Sequence, residues 1–211
     1  MDIYLSTAYL APIDYYAKFV MGTRIFIEQY DHYMKQTYRN RCTIVGANGP
    51  IPLSIPVEHA SGAKIATKDI RIAQHGNWQH MHWNTIVSAY NSTPFFEYYQ
   101  DDFYPFFHKR YDFLFDFNEQ LRTTILDLLG ISETTILYTD TYKTTFTDNE
   151  LDMRDAIHPK KDWRESDPYF HSEEYYQVFD QKFGFIPNMS IIDLLFNMGN
   201  ESLIVLGQAN K

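Results

Sequence analysis

A single cysteine, Cys42, stands in a chain of 211 residues, so no internal disulfide can form and packing must hold the fold. A reducing cytoplasm is the economical assignment. Long apolar runs are missing too: hydrophobic residues make up 45% of the chain, yet no stretch approaches the roughly 18 to 20 needed to span a bilayer. The expectation is a soluble protein with no transmembrane segment. Basic charge is scarce, with Lys and Arg 18 against Asp and Glu 27 and a net charge of −9, which argues against a nucleic-acid partner. The opening Met1-Asp2-Ile3-Tyr4 lacks the basic and then apolar pattern of a secretory leader. Also missing are a Gly-rich phosphate loop, a Gly-x-Ser-x-Gly elbow and any metal-ligand spacing. His80 and His82 lie about 200° apart on a helix, at ~100° per residue, and cannot chelate one ion. No metal site is expected, no cofactor can be named, and any chemistry rests on individual side chains.

Aromatic residues are abundant, at 17% with 17 Tyr and 16 Phe, and suit both amphipathic core edges and ring-walled pockets. The length supports one sizeable core, hence one domain over residues 1–211. "DIYLS" (2–6), "IDYYAKFVMG" (13–22) and "RIFIEQ" (24–29) read as a β-α-β opening of an α/β fold. Such a unit presents the loop after its first strand, Thr7 to Pro12, at the carboxyl edge of the sheet, where open α/β folds bind ligands.

Residues 37–57 read as a β-hairpin turning at Asn48-Gly49. Ile51, Leu53, Ile55 and Val57 share a face of its second arm. On the first arm the two-residue period groups Tyr38, Asn40, Cys42 and Ile44, with Arg39 and Arg41 opposite. Cys42, without a basic neighbour on its face, is expected to be structural. "HGNWQHMHWNTIVSAY" (75–90) reads as a helix capped by Asn77, with His82 beside Trp78 and Ile86 as a core-edge histidine. The aromatic stretch 94–117 forms core, and Pro105 starts or kinks a helix there. "DFNEQLRTTILDLLG" (116–130) is a helix with an Asp116/Glu119 capping box and a Gly130 stop. "TTILYT" (134–139) is a strand, residues 140–174 are polar and aperiodic, "SIIDLLFNMG" (190–199) is a helix capped by Ser190, and "SLIVLGQ" (202–208) returns as a strand.

Four ordered segments, "AYLAPIDYYAK", "QTYRNRCTI" with "LSIPV", "MHWNTIVSAYNSTPFFEYY" and "SIIDLLFNMG", together resemble the WbqC-like family of bacterial proteins associated with surface-polysaccharide gene sets. Leu5-Ser6-Thr7-Ala8 stands where many members carry a His-Gln pair. The region around 140–175 is shorter than the corresponding segment of longer members. The Asn-Arg pair is kept as Asn40-Arg41 and the His-Trp pair as His82-Trp83. The resemblance implies that these four act together in a transferase-like enzyme on an activated, nucleotide-linked or lipid-linked amino sugar, by acyl or aminoacyl transfer. In that reading Arg39 and Arg41 hold an anionic substrate such as a nucleotide sugar, His82 is the general base, and Asn40 binds an amide or hydroxyl. Tyr38, Trp83 and Tyr90 line the pocket. Arg41 and His82 then face one cavity, and residues 140–174 cover it, with Lys160, Lys161 and Arg164 adding positive charge. The alternative is a non-catalytic binding or scaffolding protein that uses residues 94–117 and 140–175 as contact surfaces.

Overall fold

The opening residues form strand β1 (Asp2–Ser6), helix α1 (Ile13–Met21) and strand β2 (Arg24–Glu28) in the computed structural model, which describes residues 1–58 and 64–210. Helix α1 ends against Gly22, where a Cβ would stand 2.9 Å from both Ile3 Cδ1 and Ile25 Cδ1. Glycine is needed there to let the turn close onto the sheet. β1 and β2 pair in parallel, and β2 pairs in parallel with β5 (Thr135–Tyr138). The fourth strand, β6 (Glu150–Asp152), pairs in parallel with the other edge of β1, giving the order β5-β2-β1-β6. The stretch 140–174, expected to lack structure, therefore completes the sheet. Three residues are too few for an alternation to register in sequence.

The connection from β1 to β2 runs one way across the sheet and β6 lies on the other side, so the strand order reverses at β1. Crevices at such a switch point, beyond the carboxyl ends of the strands, are where open α/β sheets bind ligands. All four carboxyl ends, Ser6, Glu28, Tyr138 and Asp152, lie on this side.

A second layer is built on the antiparallel hairpin of β3 (Arg41–Gly46) and β4 (Gly49–Ser54). Its register pairs Gly46 with Gly49, so the two-residue turn is Ala47-Asn48, one position before the Asn-Gly reading. The first arm begins at Arg41, and Tyr38 to Asn40 form turns. The two-residue period holds only inside a strand, so it does not govern the relation of Arg39 to Arg41. Helix α2 (Trp78–Tyr90) packs on β3 of the hairpin, α3 (Phe96–His108) packs on α2, and α4 (Leu114–Leu129) on α3. The C-terminal α7 (Ile191–Met198) and α8 (Ser202–Gln208) follow two single-turn helices, α5 (Trp163–Ser166) and α6 (Asp180–Phe183). One continuous hydrophobic core runs from Ile3 to Ala209. Tyr9 N–H to Tyr38 O at 2.8 Å ties the approach to the hairpin to the β-α-β unit, and Ser190 N–H to Thr43 O at 2.9 Å ties the hairpin to the start of α7.

Several local expectations are corrected. Asn77 precedes α2 in a left-handed conformation, φ 50°, and makes no side-chain cap. Asparagine tolerates that conformation, and this is its use here. Pro105 lies inside α3, in a last turn that ends three residues later at His108. α4 starts at Leu114, and Glu119 turns to Thr7 Oγ1 at 2.8 Å and to Arg122 instead of closing a capping box. The Ser190 hydroxyl donates to Leu10 O at 2.7 Å and does not cap α7. Residues 202–208 are helical, with Ser202, Val205, Leu206 and Ala209 buried at helical spacing. A short apolar run does not by itself separate strand from helix.

Candidate functional site

Beyond the carboxyl ends of the strands lies a cleft of about 370 Å³, lined by Tyr30, Asp31, His32, Met34, Arg39, Tyr142, Arg154 and Asp155. Its volume is within the ordinary range for small-molecule sites. A second, nearly filled hollow with Ser6, Thr7, Tyr15, Tyr38 and Ile157 in its wall shares Arg39 and Arg154 with it. Each lining group follows a strand end: Tyr30 to His32 after β2, Tyr142 after β5, and Arg154 and Asp155 after β6.

Two buried arginines dominate the charge. Arg154 Nη1 donates to Glu28 Oε2 at 2.8 Å, its Nε and Nη2 fork onto Asp152 at 2.8 Å, and Nη2 also reaches Lys143 O at 2.8 Å. Every nitrogen of Arg154 is thus engaged by the protein. Glu28, fully buried at the end of β2, accepts in addition from Tyr30 N and Thr139 Oγ1 at 2.8 and 2.9 Å. Arg39 is held less completely. Its Nη2 donates to Ser6 Oγ at 2.7 Å and to Asp31 Oδ2, while Nε has no partner among the described residues. Asp31 is fixed through its backbone, whose carbonyl accepts from Thr67 N at 2.9 Å, and its own Oδ1 has no partner among the described residues. The Tyr142 ring lies 4.6 Å from the Arg154 guanidinium, and the Tyr30 ring 4.1 Å from Lys68 Nζ.

Positive charge continues along the rim. Burial, with Lys161, Lys160 and Arg39 adding to it, holds the His158 imidazole below its usual range. Lys160 Nζ reaches across to Gln36 Oε1. The cleft is an aromatic-walled hollow in which two arginines, Arg39 and Arg154, stand with two aspartates, Asp31 and Asp155.

The residues singled out from sequence separate into three places. Arg39 lines the cleft, and Tyr38 lines the adjoining hollow. Asn40 closes the hairpin, its Nδ2 donating to Ile55 O and its carbonyl accepting from Ile55 N, both at 2.8 Å. Arg41 is half-buried at the start of β3, and with Arg39 it opposes the burial that pushes the Tyr33 phenol up to about 12. His82, Trp83 and Tyr90 belong to the core. His82 is 5% exposed, its Nδ1 2.9 Å from the Tyr9 hydroxyl and its ring 5.2 Å from Trp78. Burial depresses its pKa to about 4. Trp83 packs against Phe96, Tyr104 and Phe107, and Tyr90 donates to Asp193 Oδ1 at 2.9 Å. His82 and Arg41 are not among the residues that line the cleft.

Cys42 is 1% exposed, and burial pushes its thiol well above the usual range. Of the aromatic segment 94–117, Phe96, Tyr99, Phe103, Phe106, Phe107, Phe115 and Phe117 are buried, and Tyr98 and Tyr104 are exposed. Sequence reasoning missed Asp31, Glu28, Tyr142 and Arg154. The usable signal was Glu28, a carboxylate ending the apolar run "RIFIE", followed at once by Asp31-His32.

Among the described residues no group of three His, Cys, Asp or Glu side chains could hold a metal ion, and no helix is long and apolar enough to cross a membrane. A model of the WbqC-like protein family matches residues 7–205, nearly the whole chain. No curated protein and no solved structure matches. The chain belongs to the WbqC-like protein family.

Proposed function

We propose that this WbqC-like protein binds an anionic, activated sugar in the cleft at the carboxyl ends of its parallel sheet. There it works as a cytoplasmic transferase of bacterial surface-polysaccharide biosynthesis, moving an acyl or aminoacyl group onto an amino sugar. The observation that carries this reading is Arg39: a buried guanidinium at a switch-point crevice, with hydrogen-bonding capacity unspent. Its fork suits a phosphate or carboxylate. Arg154, locked by Glu28 and Asp152, holds Tyr142 in place without contacting the ligand itself. The Tyr30 and Tyr142 rings offer flat faces to a sugar or base.

In the transfer, the sugar amine attacks the carbonyl of an activated acyl donor, the new C–N bond forms, and the bond to the donor's leaving group breaks. The proton lost by nitrogen passes to the exposed imidazole of His32 in the cleft. The acid–base role goes to His32 because the His82 ring is enclosed by Tyr9 and Trp78.

Calorimetric titration with sugar 1-phosphates and nucleotide sugars tests the binding step. Micromolar binding that weakens about tenfold to a hundredfold in Arg39→Lys, with the circular dichroism spectrum kept, is the expected result. A folded wild-type protein that binds none of them overturns the reading.

A further inference from the structure

The floor of the cleft holds two buried polar atoms side by side in the chemistry of one ion pair, and each lacks a partner among the described residues. Arg39 is 3% exposed and Asp31 8%. Their contact uses Arg39 Nη2 and Asp31 Oδ2, and the buried atoms Arg39 Nε and Asp31 Oδ1 have no partner among the described residues. Most buried polar groups in folded proteins are paired, and an unpaired carboxylate oxygen is among the costliest to leave so. Asp193 and Glu28 have both oxygens filled, and other buried polar atoms without a partner among the described residues, such as Asp14 Oδ1, Asn118 Oδ1 and Arg122 Nη1, belong to residues that do not line this cleft. Arg39 Nε and Asp31 Oδ1 belong to residues that do.

Resting on the proposed sugar-binding role of this cleft, we propose that Asp31 Oδ1 is the acceptor for the amino group of the substrate and so sets selectivity for amine-bearing over hydroxyl-only sugars. A protonated amine brings donors and a positive charge to a carboxylate that Arg39 only half satisfies. A hydroxyl brings one neutral donor. The phosphate of the same ligand meets the arginine side, so a 1-phosphorylated amino sugar completes both halves of the pair.

The test compares glucosamine 1-phosphate with glucose 1-phosphate on the wild-type protein and on Asp31→Asn, by titration calorimetry at one ionic strength. The expected result is binding of the amino sugar tighter by about tenfold or more in the wild type, a charge-assisted contact against a neutral one. Asp31→Asn should erase that preference. If Asp31→Asn fails to fold, the wild type still decides. There the preference should shrink as pH rises past the ligand's ammonium pKa, while glucose 1-phosphate binding follows no such course. Equal affinity of the wild type for both sugars overturns this inference and leaves the anion-binding cleft standing. Binding of neither removes the two together.

Discussion

At Asp193 three side chains converge on one buried carboxylate: the Tyr90 hydroxyl at 2.9 Å, the Tyr175 hydroxyl at 2.6 Å and the Gln177 amide at 2.8 Å. At Asp31, also withdrawn from solvent, Arg39 takes one oxygen and the other has no partner among the described residues. The first site joins four pieces of chain, because Tyr90 also accepts from Val45 N at 3.1 Å and Gln177 donates to Ile186 O at 3.0 Å. It lies between α2, β3, α7 and the segment before α6. A saturated network of this kind rigidifies a core, and an unsaturated one is expensive until something completes it. The two carboxylates are therefore filled differently. Asp193 is satisfied by the chain alone, and Asp31 is satisfied at one oxygen.

The largest expected effect tests the core side of that contrast. Asp193→Ala strands two hydroxyls and an amide without their acceptor and should destabilise the protein by about 3 to 5 kcal/mol in urea unfolding. Asp31→Asn, which keeps an oxygen for Arg39, should cost about 1 kcal/mol. Equal losses at the two positions would erase the distinction.

A second effect of comparable size is read in pH dependence. Burial lowers the His82 pKa from 6.5 to about 4, so between those values the unfolded chain binds more protons than the folded one. Its contribution to stability is present above about pH 6.5 and is lost as pH falls towards 4. Asp14 has the opposite sign: burial raises its pKa from 3.8 to about 7, so its contribution is present at low pH and is lost as pH rises through 7. The two slopes oppose each other across the same window. Relative to wild type, His82→Gln should lose stability as pH rises from 4 to 6.5, and Asp14→Asn should gain it. The His82 difference should reach about 3 kcal/mol, from about 1.4 kcal/mol per pKa unit. A His82→Gln difference profile that is flat over this range would place the imidazole in water and return it to the list of groups able to move protons.

Cys42 gives a smaller test of the same core. Native alkylation should be far slower than for a free peptide thiol, since the sulfur is buried and its thiolate disfavoured. Cys42→Ser should cost about 1 to 3 kcal/mol through a buried hydroxyl and leave ligand binding unchanged. Fast labelling would mean that the hairpin opens to solvent.

The β-α-β unit, the hairpin, α2 and α4 were legible because each carries a period, a stop or a turn that acts locally. Gly22, Gly130 and the alternation through Leu53 and Ile55 are such signals. The cleft was half legible. Arg39 was singled out, but as a strand residue beside Arg41, whereas it belongs to a turn whose course is set by contacts distant in sequence, such as Asn118 Nδ2 to Arg39 O at 2.8 Å. Arg154 and Tyr142 sit in an aperiodic stretch; the pairing of Glu150–Asp152 with β1 brings Arg154 to the strand ends, and Tyr142 follows β5. His82 is 5% exposed and belongs to the core. Its apolar neighbours Trp78 and Ile86 had already pointed to the core.

The mildest change bears on the cleft side of the comparison. Tyr142 is 50% exposed, lines the cleft and covers Arg154, whose charge is already neutralised by Glu28 and Asp152. Removing the ring forfeits an exposed cation–π contact and little buried area, so Tyr142→Ala should lower stability by about 0.5 to 1 kcal/mol. The same ring is a wall of the recess, and its loss should weaken sugar-phosphate binding about threefold to tenfold with the denaturation curve almost in place. That separation of binding from stability is what a cleft built for a ligand requires, and Asp193→Ala should show the reverse order. A Tyr142→Ala protein that unfolds readily, or that binds as tightly as wild type, would mean that the rings at the strand ends serve the fold, and that the half-filled Asp31–Arg39 pair lies outside any working site.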